Sequence, residues 1–188
     1  MFSWIIEKKA KILDINNGRF TVENNFWKTL NIWQSIAHDW ACMTIEKFDE
    51  EKYSFFAMQE TFNRTNFSVK KVGDYFNTER CLKVWDRLDW HFVSWHIDCT
   101  WKVIKIDLQK DSSLIIWIEF KEKFSKLVIE KWSITINWVS LTVIKNTRNS
   151  LEVSLIPLTL DITNLWLLKI WDLVNLEFDM LGKYILNK

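Results

Sequence analysis

The chain has 188 residues, enough for one domain of ordinary size or two small ones. Its 48% hydrophobic and 26% charged residues exclude a disordered or collagen-like chain. With 25 basic against 24 acidic residues the net charge is +1, which leaves no electrostatic footprint for nucleic acid or an anionic membrane.

Taken in chain order, the first residues lack a basic leader and the apolar stretch that follows is too short for a signal peptide. Strands are expected at 11–15 and 20–23, flanking Asn16-Asn17-Gly18, a hairpin signal with Gly where positive φ is needed. A second hairpin is expected from 43–48 and 53–58 around the polar 49–52, then a helical turn at 60–65. Strands at 103–108 and 114–120 surround 109–113, and strands at 141–144 and 151–156 surround 145–150. Besides the turn at 60–65, helix is expected at 121–128 and at the C-terminus. No apolar run approaches the length that spans a bilayer. Cys42, Cys81 and Cys99 form no CxxC pair, which suits a reducing compartment, so the chain is read as soluble and cytoplasmic.

An internal repeat organises these elements. Thr61, Thr65 and Asn66 meet Thr159, Thr163 and Asn164 at an offset of 98. Asp39-Trp40 falls on Asn137-Trp138, and Lys71-Val72-Gly73-Asp74 falls on Lys169-Ile170-Trp171-Asp172. Near the starts the offset is 91, with Phe2-Ser3-Trp4 on Val93-Ser94-Trp95. The expected organisation is therefore all-β: one barrel in 1–90, a second in 91–179 and a short helix in 180–188, the barrels small and antiparallel.

The composition departs from the ordinary at one point, 13 Trp against 3 Gly, where average usage gives roughly 13 Gly. Trp171 stands where the other repeat has Gly73, and Asp39-Trp40, Asp89-Trp90 and Asn137-Trp138 would be turn dipeptides with Gly in second place. None of the Trp falls in an obvious core alternation. A bulky residue at positive φ costs on the order of 1–3 kcal/mol, and thirteen of them would exceed a typical stability of roughly 5–15 kcal/mol. These Trp are read as UGA codons, which one variant code translates as Trp, in an organism that reads them as Gly. The alternative is a Trp-rich protein whose rings bind sugars or stack on bases.

With Gly at those positions the start reads Met-Phe-Ser-Gly-Ile-Ile-Glu and the middle reads Gly-Gly-His-Phe-Val-Ser-Gly-His-Ile-Asp. These strings, together with Gln34-Ser35-Ile36-Ala37-His38-Asp39, Ala41-Cys42-Met43-Thr44, Glu60-Thr61, Arg64-Thr65-Asn66 and Asn175-Leu176-Glu177, closely resemble riboflavin synthase of the alpha-chain type. The resemblance runs over essentially the whole chain. It implies two tandem six-stranded Greek-key barrels and a C-terminal helix that ties three subunits into a homotrimer. The implied reaction is a dismutation of two 6,7-dimethyl-8-ribityllumazine molecules into riboflavin and 5-amino-6-(D-ribitylamino)uracil. No metal or organic cofactor is implied. Lumazine synthase is a further implied partner; nucleic acid and membrane are not.

By position the resemblance places one pocket on the N-barrel, from Trp4, Ile5, Ile6, Cys42, Met43, Thr44, Phe56, Ala57, Met58, Gln59, Glu60, Thr61, Trp95, His96 and Ile97. The other lies on the C-barrel, from Lys131, Ser140, Leu141, Thr142, Ser154, Leu155, Ile156, Pro157, Leu158, Thr159 and Asp179. Thr and Ser hydroxyls suit ribityl oxygens and polar ring edges. His96 is the candidate proton shuttle, with Cys42 and Ser35 as candidates for assisting addition or proton transfer. Each has a plainer reading, a surface His, a small buried Cys, an exposed charge at Lys131 or Asp179. His91, His96, Asp98 and Cys99 do not follow a zinc spacing. Leu158 stands where the first repeat has Glu60, which removes a polar contact from the second pocket. A non-catalytic lumazine or flavin binder of the same fold is the competing function.

Overall fold

The computed structural model describes residues 5–83 and 97–186. In the first half β1 (Lys8–Asn16), β2 (Arg19–Glu23), β3 (Ser35–His38), β4 (Ala41–Phe48), β5 (Lys52–Phe56) and β6 (Tyr75–Arg80) close a barrel in the order β1-β2-β5-β4-β3-β6. In the second half β7 (Cys99–Leu108), β8 (Leu114–Glu119), β9 (Ser133–Ile136), β10 (Val139–Asn146), β11 (Ser150–Leu155) and β12 (Leu173–Phe178) repeat that order. A short helix leads from the fifth strand of each barrel, α1 (Gln59–Arg64) and α2 (Pro157–Ile162), and α3 (Met180–Leu186) follows the last strand. From β3 to β6 every element recurs 98 positions later in β9 to β12, so the sequence repeat is the structural repeat.

All strand pairs are antiparallel. Side-chain alternation sends one face of each strand inward, where Ile12, Phe20, Ile45, Phe55 and Phe76 fill the first barrel and Val103, Ile116, Val143, Val153 and Val174 the second. Register shifts at Ile12/Asp14, Ile45/Lys47, Val103/Lys105 and Val143/Lys145 mark the bulges that curl each sheet into closure. The β1–β2 hairpin turns on Asn17 (φ 46°) and Gly18 (φ 81°), the two positive angles of a type I′ turn. A Cβ on Gly18 would lie 3.0 Å from the Ala57 carbonyl oxygen.

Several expected elements differ. The short strands β3, β6, β9 and β12 lie outside the sequence expectation, as does α2, which starts on Pro157 at its first turn. The helix expected at 121–128 is a 3₁₀ helix at Glu122–Leu127, and strand β5 stops at Phe56.

The barrels meet around a pseudo-two-fold axis through a buried polar network. The Asn66 backbone N–H donates to Asn175 Oδ1 at 2.7 Å, and its counterpart Asn164 N–H donates to Asn77 Oδ1 at 2.6 Å. Asn77 Nδ2 donates to the Asn137 carbonyl at 2.7 Å, and Asn175 Nδ2 to the Asp39 carbonyl at 2.6 Å. Each barrel thus satisfies buried groups of the other, which low dielectric makes costly to leave unpaired. The symmetry breaks at Lys70, whose Nζ sits 2.6 Å from the fully buried Asp39, whereas the second repeat has the neutral Asn137 and Leu168.

Nine of the thirteen Trp fall among the described residues. Trp33, Trp40, Trp138 and Trp171 have positive φ, and so does Gly73, the repeat partner of Trp171. Trp27, Trp101, Trp117, Trp132 and Trp166 do not: two are in strands and two in 3₁₀ helices, where a side chain is tolerated. Contrary to the sequence expectation, two Trp are core residues. Trp40 and Trp138 are fully buried where the hairpins β3–β4 and β9–β10 meet, edge to face at 4.8 Å, and Trp138 Nε1 donates to Glu79.

Candidate functional site

Two cross-strand rows on the outer face of each barrel gather the polar site candidates. Ser35 is the register partner of Thr44, and Ile45 pairs with Phe55, which brings the next residue, Phe56, alongside Thr44. The row Ser35–Thr44–Phe56 therefore lies on one face, because Met43, Ile45 and Phe55 point inward. The neighbouring row is Glu79–Ala37–Cys42, from the pairs Ala37↔Glu79 and Ala37↔Cys42. Adding 98 gives Ser133–Thr142–Ser154 and Glu177–Thr135–Ser140 on the second barrel, with the same pairings.

These rows place the candidates. Cys42, Thr44 and Phe56 are exposed, and Ser35, Ser140 and Ser154 are half-buried, open enough to meet a ligand; Thr142 is exposed. Met43, Leu141 and Leu155 are buried inside the barrels, so their side chains support the walls and only their backbone faces the site. Ala57 is likewise buried, its N–H given to the Gly18 carbonyl at 2.8 Å. Beyond each fifth strand the chain turns into α1 or α2 and presents Met58, Gln59 and Glu60 on one barrel and Ile156, Pro157 and Leu158 on the other, all exposed. The carbonyls of Thr61 and Thr159 accept the hydroxyls of Thr65 and Thr163 at 2.7 and 2.6 Å, fixing the helices that carry the rims. Glu60 is held by Arg64; its counterpart Leu158 has no such partner, and the second rim is apolar.

The remaining candidates are more scattered. Ile5 is exposed and Ile6 buried at the entry to β1, and Ile97 is half-buried at the entry to β7. Ile97 lines a cavity of about 300 Å³ with Arg64, Lys121 and Lys123. Lys131 is exposed at φ 67°, with its N–H on the Val143 carbonyl at 2.8 Å. Asp179 is nearly buried and caps α3, accepting the Leu181 N–H at 2.8 Å. Trp4, Trp95 and His96 lie outside the described residues. Among the described residues no group of three or more His, Cys, Asp or Glu could hold a metal ion.

Neither cysteine beside the rows is a ready thiolate. Burial pushes the Cys81 thiol up, helped by the neighbouring Cys42, while Cys81 Sγ donates to the Ser35 carbonyl at 3.0 Å. Cys99 is pushed up to about 12 by burial.

Sequence reasoning missed Ser133, the repeat image of Ser35, and Thr135, which stands beside Ser140 with a fully buried hydroxyl that finds no hydrogen-bond partner among the described residues. The 98 offset applied to Ser35 was the signal for Ser133. A cavity of about 850 Å³ lies elsewhere, on the pseudo-two-fold axis between Lys70, Lys71, Gly73 and Asn137, Lys169, Trp171. It contains none of the candidates. The rows carry the site argument because they repeat and end in the accessible Cys42, Thr44, Ser140 and Thr142, whereas that cavity is the gap between two packed barrels.

Comparison with known proteins agrees with the doubled geometry. The model of the lumazine binding domain matches residues 4–81 and again 94–179. The chain is 38% identical over 192 residues to the riboflavin synthase of Actinobacillus pleuropneumoniae, covering 98% of this chain and 88% of that one. It is 34% identical to the riboflavin synthase of Buchnera aphidicola, over 100% and 93% of the two chains, and 34% identical to that of Escherichia coli, over 95% and 87%. In fold it is similar to LumP complexed with riboflavin, with a TM-score of 0.85 at 20% identity over 95% of this chain and 99% of that one. A repeat in sequence, in backbone and in the matched family model thus leads to one conclusion: the chain belongs to the riboflavin synthase family.

Proposed function

We propose that the chain is a riboflavin synthase, a transferase that moves a four-carbon unit between two molecules of 6,7-dimethyl-8-ribityllumazine and releases riboflavin and 5-amino-6-(D-ribitylamino)uracil. The observation that supports this best is the doubling of the hydroxyl rows, Ser35–Thr44 and Ser133–Thr142, since a dismutation needs two like pockets and a binder needs one. The acidic C7 methyl of one lumazine must lose a proton while the ring of the other accepts a nucleophile. Stacking the two rings face to face supplies much of the rate through proximity. Cys42 and Ser35 stand on adjacent outer rows of the first barrel, where they serve addition or proton transfer; His96 is the shuttle. The rims at 56–61 and 154–159 enclose the two ribityl chains, and Lys131 and Asp179 serve the second substrate.

One active site forms between the N-barrel of one subunit and the C-barrel of its neighbour in a cytoplasmic homotrimer. The exposed Leu181, Tyr184 and Ile185 of α3 suit such an assembly. Lumazine synthase is the partner that would supply substrate. The chain divides at 1–90, 91–179 and 180–188, and no cofactor takes part. The working chain carries Gly, encoded by UGA, at its Trp positions, Trp33, Trp40, Trp138 and Trp171 above all, because their φ is positive. Mass spectrometry of the corresponding peptides from the source organism tests this; tryptophan-containing peptides would overturn it.

Incubating the chain with the lumazine and following riboflavin fluorescence tests the activity. The second reading, a lumazine or flavin binder without turnover, draws on the fold likeness to LumP. Tight binding with no riboflavin formed would establish it instead.

A further inference from the structure

Each barrel ends its last strand beside a carboxylate that precedes its first. In the N-barrel this is Glu7: Oε1 accepts the Arg80 N–H at 2.9 Å, and the Arg80 guanidinium clamps Oε2 at 2.6 and 2.9 Å. In the C-barrel the residue 91 positions on is Asp98, whose Oδ2 accepts the Phe178 N–H at 2.9 Å. The backbone contact is preserved, but position 178 is apolar and its strand supplies no cation. The cation comes from α3. Lys183 Nζ lies 2.6 Å from Asp98 Oδ2 and 3.6 Å from Oε1 of the fully buried Glu177.

Both contacts lead to the site. Glu177 is the first member of the row Glu177–Thr135–Ser140, fully buried and two strands from the half-buried Ser140. Asp98 directly follows Ile97. Asp179 opens α3, the helix that carries Lys183, and its backbone carbonyl accepts the Lys183 backbone N–H at 3.3 Å. Removing the Lys183 ammonium takes from Asp98 and the buried Glu177 the charge that faces both, and the change in the field around Glu177 is felt by its neighbours in the row.

We infer that Lys183 is a positioning residue for the reaction proposed above: it holds Glu177 and Asp98 so that Ser140, Thr135 and Asp179 keep their places, and it couples the terminal helix to the second pocket. This rests on the riboflavin synthase reading. The full chain is compared with Lys183→Met and Lys183→Arg for riboflavin formation, for equilibrium lumazine binding by fluorescence, and for Tm. Lys183→Met is expected to lower kcat/KM on the order of tenfold, mostly through KM, and Lys183→Arg to restore it to within about threefold. In a Glu177→Gln background, where Lys183 faces no carboxylate at that position, Lys183→Met should cost only about threefold. That background also serves should Lys183→Met alone fail to fold; no loss there overturns the inference. A lower Tm with unchanged kcat and KM, or an Arg variant no better than Met, overturns it as well. If the unsubstituted chain binds lumazine without turnover, the function reading fails, while the tenfold weaker binding expected of Lys183→Met still decides the role of Lys183.

Discussion

The two barrels share topology, bulges and turns but not core chemistry. The first is aromatic: Phe20 stacks on Phe55 at 5.5 Å and meets Phe67 and Phe76 edge to face, around the buried pair His38 and Tyr53. At the positions 98 later the second barrel has Ile136 for His38, Leu151 for Tyr53, Val153 for Phe55, Leu165 for Phe67 and Val174 for Phe76. What recurs unchanged is Asn66/Asn164, Asn77/Asn175 and Glu79/Glu177. The fold is specified by where backbone polar groups find partners and where the chain turns. The core needs only apolar residues that fill the space.

The comparison breaks first at its shared part. Asn77→Ala removes the acceptor of the Asn164 N–H and the donor to the Asn137 carbonyl, and urea unfolding should show a loss of about 4 kcal/mol. Asn175→Ala should match it; a large difference between the two would show that the network is not equivalent across the axis.

Acid separates the barrels next. His38 Nδ1 donates to the Ile36 carbonyl at 3.1 Å and Nε2 accepts the Tyr53 hydroxyl at 2.7 Å, the neutral form, and burial pushes its pKa down to about 3. The unfolded chain takes up this proton near pH 6.5 and the folded chain only near 3. Stability therefore falls as pH drops through that window, by about 2 kcal/mol at pH 5. The double change His38→Ile with Tyr53→Leu, which copies the second barrel, should flatten the pH dependence of Tm between pH 6.5 and 5.

Smaller effects sharpen the contrast. Trp171→Gly should restore equivalence with Gly73 and raise stability by about 1 kcal/mol, after the loss of Lys102 packing 5.9 Å over the ring. Calorimetry showing a lower Tm would contradict it. Arg64→Ala, which breaks an exposed pair with Glu60 that the second repeat lacks, should change stability by less than about 0.5 kcal/mol.

The repeat made the doubled barrel legible, since hairpins around polar turns and an offset of 98 leave few topologies. Strands β3, β6, β9 and β12 were illegible because their outer faces are buried against the other barrel. Glu79 is a buried charge on that outer face, and His38 is a polar residue on the inner face among Tyr53, Phe55 and Phe76, so both break the alternation that marks a half-exposed strand. In α2, Pro-Leu-Thr-Leu-Asp-Ile alternates like a strand, although its Pro sits at a helix start. The site candidates followed from motifs, but their grouping into rows depends on register. A single bulge, such as that between Ile45 and Lys47, moves every later pairing. Trp40 and Trp138 looked like misplaced turn residues, and turn residues they are; that two hairpin tips would press together at the axis depends on the packing of one barrel on the other.

The crossed asparagine pairs also bear on the order in which the molecule is made. Asp39, Asn66 and Asn77 leave the ribosome with the first barrel, but their partners Asn137, Asn164 and Asn175 follow 60 to 136 residues later, about 3–27 s at ordinary rates of synthesis. During that interval the first barrel presents an open polar socket to water. Its last hydrogen bonds close only when the second half arrives, so the nascent chain commits to its final shape late and as a whole.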